Sequence, residues 1–120
     1  MSQRKPPRKA IVPRPRTLPA GTVVFHVAPP TNRKQIGREG LRPLGTFTRG
    51  MPVTVYVFTE IAAARMYAFW VMRRISGGAS DLWQVEADGL TFLRDPQGSA
   101  KMLYTTDLVG PERLALLGKA

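Results

Sequence analysis

Proline and glycine punctuate this 120-residue chain so often that few segments can be both long and regular. Five prolines (Pro6, Pro7, Pro13, Pro15 and Pro19) stand within residues 1–19. Each fixes φ and removes a backbone donor, so this stretch supports neither a helix nor an internal strand. It reads as a disordered, extended arm over 1–19. The folded body is expected to begin near Leu18 to Gly21, as a single domain over 20–120.

The same punctuation divides the body. Pro29-Pro30 ends a short β-branched run over 22–28, which predicts a strand. Thr31 is a suitable N-cap, and 32–39 gives two helical turns stopped by Gly40 as a left-handed cap. Residues 43–52 read as a loop and 53–58 as a strand. Thr59 and Gly77-Gly78 bracket the longest helix, over 60–76. Ile61, Ala64, Ala68, Val71 and Ile75 recur on one of its faces. Met66, Phe69, Trp70 and Met72 fall at helical spacing too and read as packing residues, as does Trp83 on a later strand. Residues 82–87, 90–93 and 102–106 are strand candidates, separated by Asp88-Gly89 and by the turn Asp95-Pro96-Gln97-Gly98. Gly110-Pro111-Glu112 is expected to open a closing helix, with proline at the first helical position and an acid in the first turn. Long helices in the front half and strands in the back half indicate an α+β fold rather than a doubly wound sheet. Neither G-x-G-x-x-G nor a Walker loop is present, so neither common phosphate cradle is available.

Charge adds a second constraint. The formal net charge is +10. Arg4, Lys5, Arg8, Lys9, Arg14 and Arg16 fall in the arm without an acid, while the remaining hundred residues carry twelve basic and eight acidic side chains. The arm therefore holds most of the excess. It reads either as a solvated extension or as a polyanion contact that releases counterions from nucleic acid or an acidic protein. Arg33, Lys34 and Arg38 offer a smaller basic patch on the short helix, and Arg73-Arg74 suit a helix C-terminus. The absence of cysteine excludes a disulfide framework and a thiolate zinc site, and no metal site is expected. No apolar run approaches the roughly 20 residues of a membrane-spanning helix, and no hydrophobic segment follows the basic N-terminus as in a secretory signal.

The residues with chemistry to offer are His26, the single histidine, and the tyrosines Tyr56 and Tyr67. An imidazole can hydrogen-bond a ribose hydroxyl, and a tyrosine face can stack on a heterocycle. His26 reads equally as a histidine satisfied by backbone. Tyr56 reads equally as strand core, and Tyr67 as the boundary of a helix.

In order and spacing these pieces resemble the ADP-ribosyltransferase fold family, in its histidine-tyrosine-glutamate branch. Val24-Phe25-His26-Val27-Ala28 resembles the first strand with its ribose-contacting histidine. Ile36-Gly37-Arg38-Glu39-Gly40-Leu41-Arg42-Pro43 is similar to the I-x-x-x-G-L-x-P end of the following helix. Val55-Tyr56-Val57-Phe58 through Tyr67-Ala68 resembles the strand-helix unit with two tyrosines eleven residues apart. Tyr104 to Val109, with Pro111-Glu112-Arg113-Leu114, looks like the last strand and closing helix of small actinobacterial and phage members. The resemblance spans about 18–117. It implies a split antiparallel sheet flanked by short helices, NAD as ligand, and transfer of ADP-ribose to a protein or nucleic acid. His26 would hold the adenosine-side ribose, Tyr67 would stack on nicotinamide and Tyr56 would line the pocket floor. Where the family carries a glutamate, the nearest acid is Asp107, an aspartate one methylene shorter, which takes the place of the catalytic carboxylate. A second function stays open: a non-enzymatic polyanion-binding or assembly protein, including a virion component, that uses the fold as a scaffold. The expected location is cytoplasmic, or virion-associated for a phage-type member.

Overall fold

The computed structural model describes residues 16–43, 55–94, 102–105 and 108–120. The arm residues Arg4, Lys5, Arg8, Lys9 and Arg14, most of the 43–52 loop, the 95–98 turn and Asp107 lie outside the described residues.

The β-branched and aromatic runs form strands near the expected places. They are β2 (Val23–Ala28), β3 (Val55–Phe58), β4 (Asp81–Glu86), β5 (Thr91–Arg94) and β6 (Met102–Thr105). Two further strands join them, β1 (Arg16–Thr17) and β7 (Leu114–Lys119). The sheet runs β1-β5-β6-β3-β2-β4-β7, and every neighbouring pair is antiparallel. With helices packed on this sheet, the chain is an α+β fold.

Strand structure is present earlier than the expected start of the body near Leu18 to Gly21. Arg16 and Thr17 pair with Phe92 and Thr91, and Leu18 continues the ladder through its bonds with Leu90 and Gly89. Arg16, expected in the arm, therefore has its backbone at the sheet edge. A strand there satisfies the prolines' restrictions because an edge needs only one ladder.

A 3-10 turn (Pro30–Asn32) leads into α1 (Arg33–Glu39), which ends at Gly40. Gly40 has φ +85 and ψ −169, a conformation open to glycine almost alone. A Cβ at this position would strike the Val109 carbonyl, because Leu41 and Val109 exchange two backbone bonds beside it. The glycine thus clamps the end of α1 to the segment before β7.

The long helix is one rod in three parts: α2 (Ile61–Tyr67), a π turn (Ala68–Met72) and α3 (Arg73–Ser76). Its expected inner face is corrected. Ala64, Ala68 and Met72 are buried, whereas Ile61, Val71 and Ile75, expected on the inner face, are exposed, as are Met66, Phe69 and Trp70. The π turn is the cause at Val71 and Ile75. The Arg73 amide bonds back to the Ala68 carbonyl, five residues earlier, and the widened turn keeps residues four apart in line over the sheet.

The closing helix is also corrected. Pro111–Arg113 makes a 3-10 turn, but Leu114–Lys119 is strand β7, paired along β4. Leucine and alanine favour a helix, yet the open edge of β4 offers a full ladder of backbone partners, and the tertiary pairing wins.

Alternation along the strands gives the sheet two apolar faces. On one, Val24, Val57, Val85, Phe92 and Leu103 pack with Ile36 from α1 and with Leu41 just beyond it. On the other, Val27, Phe58 and Leu82 pack beneath Ala64, Ala68 and Met72. Each large aliphatic side chain buried this way contributes about 1.5–3 kcal/mol.

Candidate functional site

β2 and β3 meet at a single register position, Phe25 opposite Phe58. β2 pairs with β4 over six positions, so the sheet is held firmly on one side of β2 and loosely on the other. His26 follows that single pair. Its imidazole Nδ1 lies 2.7 Å from the carbonyl oxygen of Tyr56. A carbonyl only accepts, so Nδ1 carries the proton and donates. Burial lowers the imidazole pKa below its usual 6.5, and the bond to Tyr56 opposes this only in part. The ring is therefore neutral near pH 7 and its Nε2 is an acceptor. The bond also replaces a missing rung between β2 and β3.

The three residues marked out by the sequence do not share one side of the sheet. His26 shares the face of Val24 and Ala28 and stands opposite Trp83, all three members of the α1-side core. Tyr56 alternates with Val55 and Val57, which belong to that same core, and so projects to the other side. There its ring lies 6.0 Å from that of Tyr104. Tyr67, on α2, packs 5.1 Å from the Phe58 ring, and burial raises its phenol pKa. His26 and the tyrosines approach each other only through the gap between β2 and β3, where the His26 side chain reaches the Tyr56 backbone. Asp107, the acid marked out for catalysis, lies outside the described residues.

A second polar group on the His26 side was not legible in sequence. Asp81 is fully buried, opposite Ala28. It accepts two bonds from Arg33, Nε to Oδ2 at 2.9 Å and Nη2 to Oδ1 at 2.7 Å, and Lys119 stands 3.9 Å away. The Arg33 bonds hold the carboxyl below its ordinary range although burial alone would raise it. Arg33, read from sequence as part of a basic patch, is thus engaged in tying α1 to β4, while Lys34 and Arg38 remain exposed. The signal available beforehand was an acid at the start of an apolar strand, a position with little reason to be charged unless paired.

Trp83, opposite His26, buries its indole Nε1 without a hydrogen-bond partner among the described residues, and Ser80 does the same with Oγ. An unmade buried bond of this kind costs about 1–3 kcal/mol. A separate cleft of about 410 Å³ lies between the Pro29-Pro30-Thr31 turn and the Gly77-Gly78-Ala79 segment. Among the described residues no titratable side chain lines it. No helix among the described residues is long and apolar enough to cross a membrane.

Neither protein-family models nor the curated proteins give a match to this chain.

Proposed function

We propose that this chain is an ADP-ribosyltransferase-like protein that binds NAD, with His26 as the anchor for a ribose. One observation carries the reading: the imidazole is locked at the loosely paired junction of β2 and β3, neutral, with Nδ1 committed to Tyr56 and Nε2 left as an acceptor. A ribose hydroxyl donates to such a nitrogen. β2 and β3 are neighbours in one continuous antiparallel sheet, and their single register pair is the point at which the resemblance would open it. Tyr67 has one ring face against Phe58, so stacking on nicotinamide would use its other face. Tyr56 projects from the same side of the sheet as Tyr67 and opposite to His26, so a ligand held by all three would have to reach through the gap between β2 and β3.

Transfer of ADP-ribose to a protein or nucleic acid forms the second half of the proposal, and it assigns Asp107 the carboxylate role. Departure of nicotinamide leaves an oxocarbenium-like ribose, which a nearby carboxylate stabilises electrostatically. Titration calorimetry with NAD tests the binding half. Heat of binding is expected for the wild type and not for His26→Ala; no heat at millimolar NAD rejects the reading. Nicotinamide release measured on Asp107→Asn tests the transfer half, and a rate equal to wild type removes Asp107 from it. The competing reading, a polyanion-binding scaffold, draws on the net charge of +10. It requires no NAD binding and a salt-dependent affinity for nucleic acid.

A further inference from the structure

The helical rod over 61–76 is apolar on both sides, yet the sheet covers only one. Ala64, Ala68 and Met72 face the core. Met66, Phe69, Trp70 and Arg73 follow one another at i, i+3, i+4 and i+7 on the outward side, a stripe about 10 Å long. Met66 is 61% exposed, Phe69 55% and Trp70 58%. A helix that is apolar all round is normally buried all round, and large exposed aromatic clusters mark binding surfaces.

Two facts about this stripe select its occupant. The Phe69 and Trp70 rings stand edge to face at 5.0 Å, and the Arg73 guanidinium lies 5.6 Å over the Phe69 ring. The rod also carries Arg65, Arg73 and Arg74 and no acid between Ile61 and Ser76. A second copy of the chain fits poorly. Antiparallel docking centred on Phe69-Trp70 sets Arg65 against Arg74 of the other copy, and parallel docking sets each arginine against itself. An anionic bilayer could take the rings with the arginines reaching to its headgroups, but Arg73 is held over the Phe69 ring rather than at the margin of the stripe. Aromatic faces beside guanidinium groups are instead the combination that single strands of nucleic acid require. Unpaired bases stack on the rings, and phosphates pair with the arginines.

We propose that the outward stripe of this helix, centred on Phe69 and Trp70 with Arg65, Arg73 and Arg74 around it, is a binding surface for single-stranded nucleic acid. The surface stands independently of NAD binding and of the proline-rich arm. A duplex keeps its base faces stacked inside, so it can use the arginines but not the rings.

The test uses the full chain and an oligothymidylate, with the matching duplex and phosphatidylglycerol vesicles as comparison arms. Of the two tryptophans, Trp83 is buried, so quenching of emission on titration reports Trp70. The oligothymidylate is expected to quench wild type. By anisotropy, Trp70→Ala and Phe69→Ala are each expected to weaken its binding about tenfold. Trp70→Phe should restore most of the loss, and Arg73→Gln should make the salt dependence shallower. Duplex affinity should be unchanged in Trp70→Ala. These side chains are largely exposed, so the variants keep the fold, checked by near-ultraviolet dichroism. Oligothymidylate binding within about twofold of wild type in both alanine variants overturns the proposal. So does wild-type emission unmoved at saturation, or a Trp70 dependence seen with vesicles and not with the oligonucleotide.

Discussion

His26 illustrates how one side chain can be read two ways from sequence and still surprise. Its position on an apolar strand was legible, because Thr22 to His26 is β-branched and aromatic up to the histidine. Its bond to Tyr56 was not, because the partner is a backbone carbonyl thirty residues away whose availability depends on how β2 and β3 diverge. The burial of the ring has a measurable consequence, which the bond to Tyr56 only partly offsets. Burial lowers the folded-state pKa below 6.5, so under mild acid the unfolded chain takes up a proton that the folded chain refuses. Stability is therefore full above pH 6.5 and falls as the pH drops from there toward the folded-state pKa. Urea unfolding across this range should show that slope in wild type and lose it in His26→Gln, whose amide can still donate to Tyr56. An identical slope in the variant would assign the effect to other groups. Asp81 is a different reading problem: an acid at the start of an apolar strand hints at a partner, but nothing local says which, since Arg33 lies forty-eight residues earlier.

At the scale of elements, the strands were legible because their signals are local: β-branched and aromatic runs bounded by proline and glycine. The two errors arose where tertiary structure resets a local pattern. A helical wheel assumes constant phase, and the π turn at Ala68–Met72 breaks it, keeping Met72 in line with Ala64 and Ala68 and leaving Val71 and Ile75 exposed, while Phe69 and Trp70 already stand opposite that face at helical spacing. β7 has helix-forming residues but takes the vacant edge of β4. The reassigned helix face predicts a clean contrast in stability. Met72→Ala should cost about 2–5 kcal/mol, the range for emptying a packed site. Phe69→Ala, more than half exposed, should cost well under 1 kcal/mol. Denaturant midpoints for the two variants decide the matter. Comparable losses would mean that Phe69 is packed in solution and that the outward stripe is not free.

For the whole molecule, Asp81 joins segments that are distant in sequence: Arg33 on α1, Asp81 on β4 and Lys119 at the end of β7. The three differ in access to water. Asp81 has none, whereas the Arg33 and Lys119 side chains are 47% and 59% exposed. Removing each partner therefore has unequal cost. Arg33→Ala strands a buried carboxylate with only Lys119 nearby and should be the more destabilising change. Asp81→Ala leaves cations that water can reach and should lose less, about 1–3 kcal/mol. The double variant Arg33→Ala/Asp81→Ala should then be more stable than Arg33→Ala alone, the reverse of what two independent losses would give. Acid gives the same result by another route. The folded-state carboxyl is held below its usual 3.8, so the ion pair stabilises fully above that value and its contribution is lost as pH falls through the folded-state pKa. Unfolding curves below pH 4 should therefore steepen in wild type and flatten in the double variant. Losses that simply add, with no rescue, would mean that Asp81 is solvated and that these three segments are joined by packing alone.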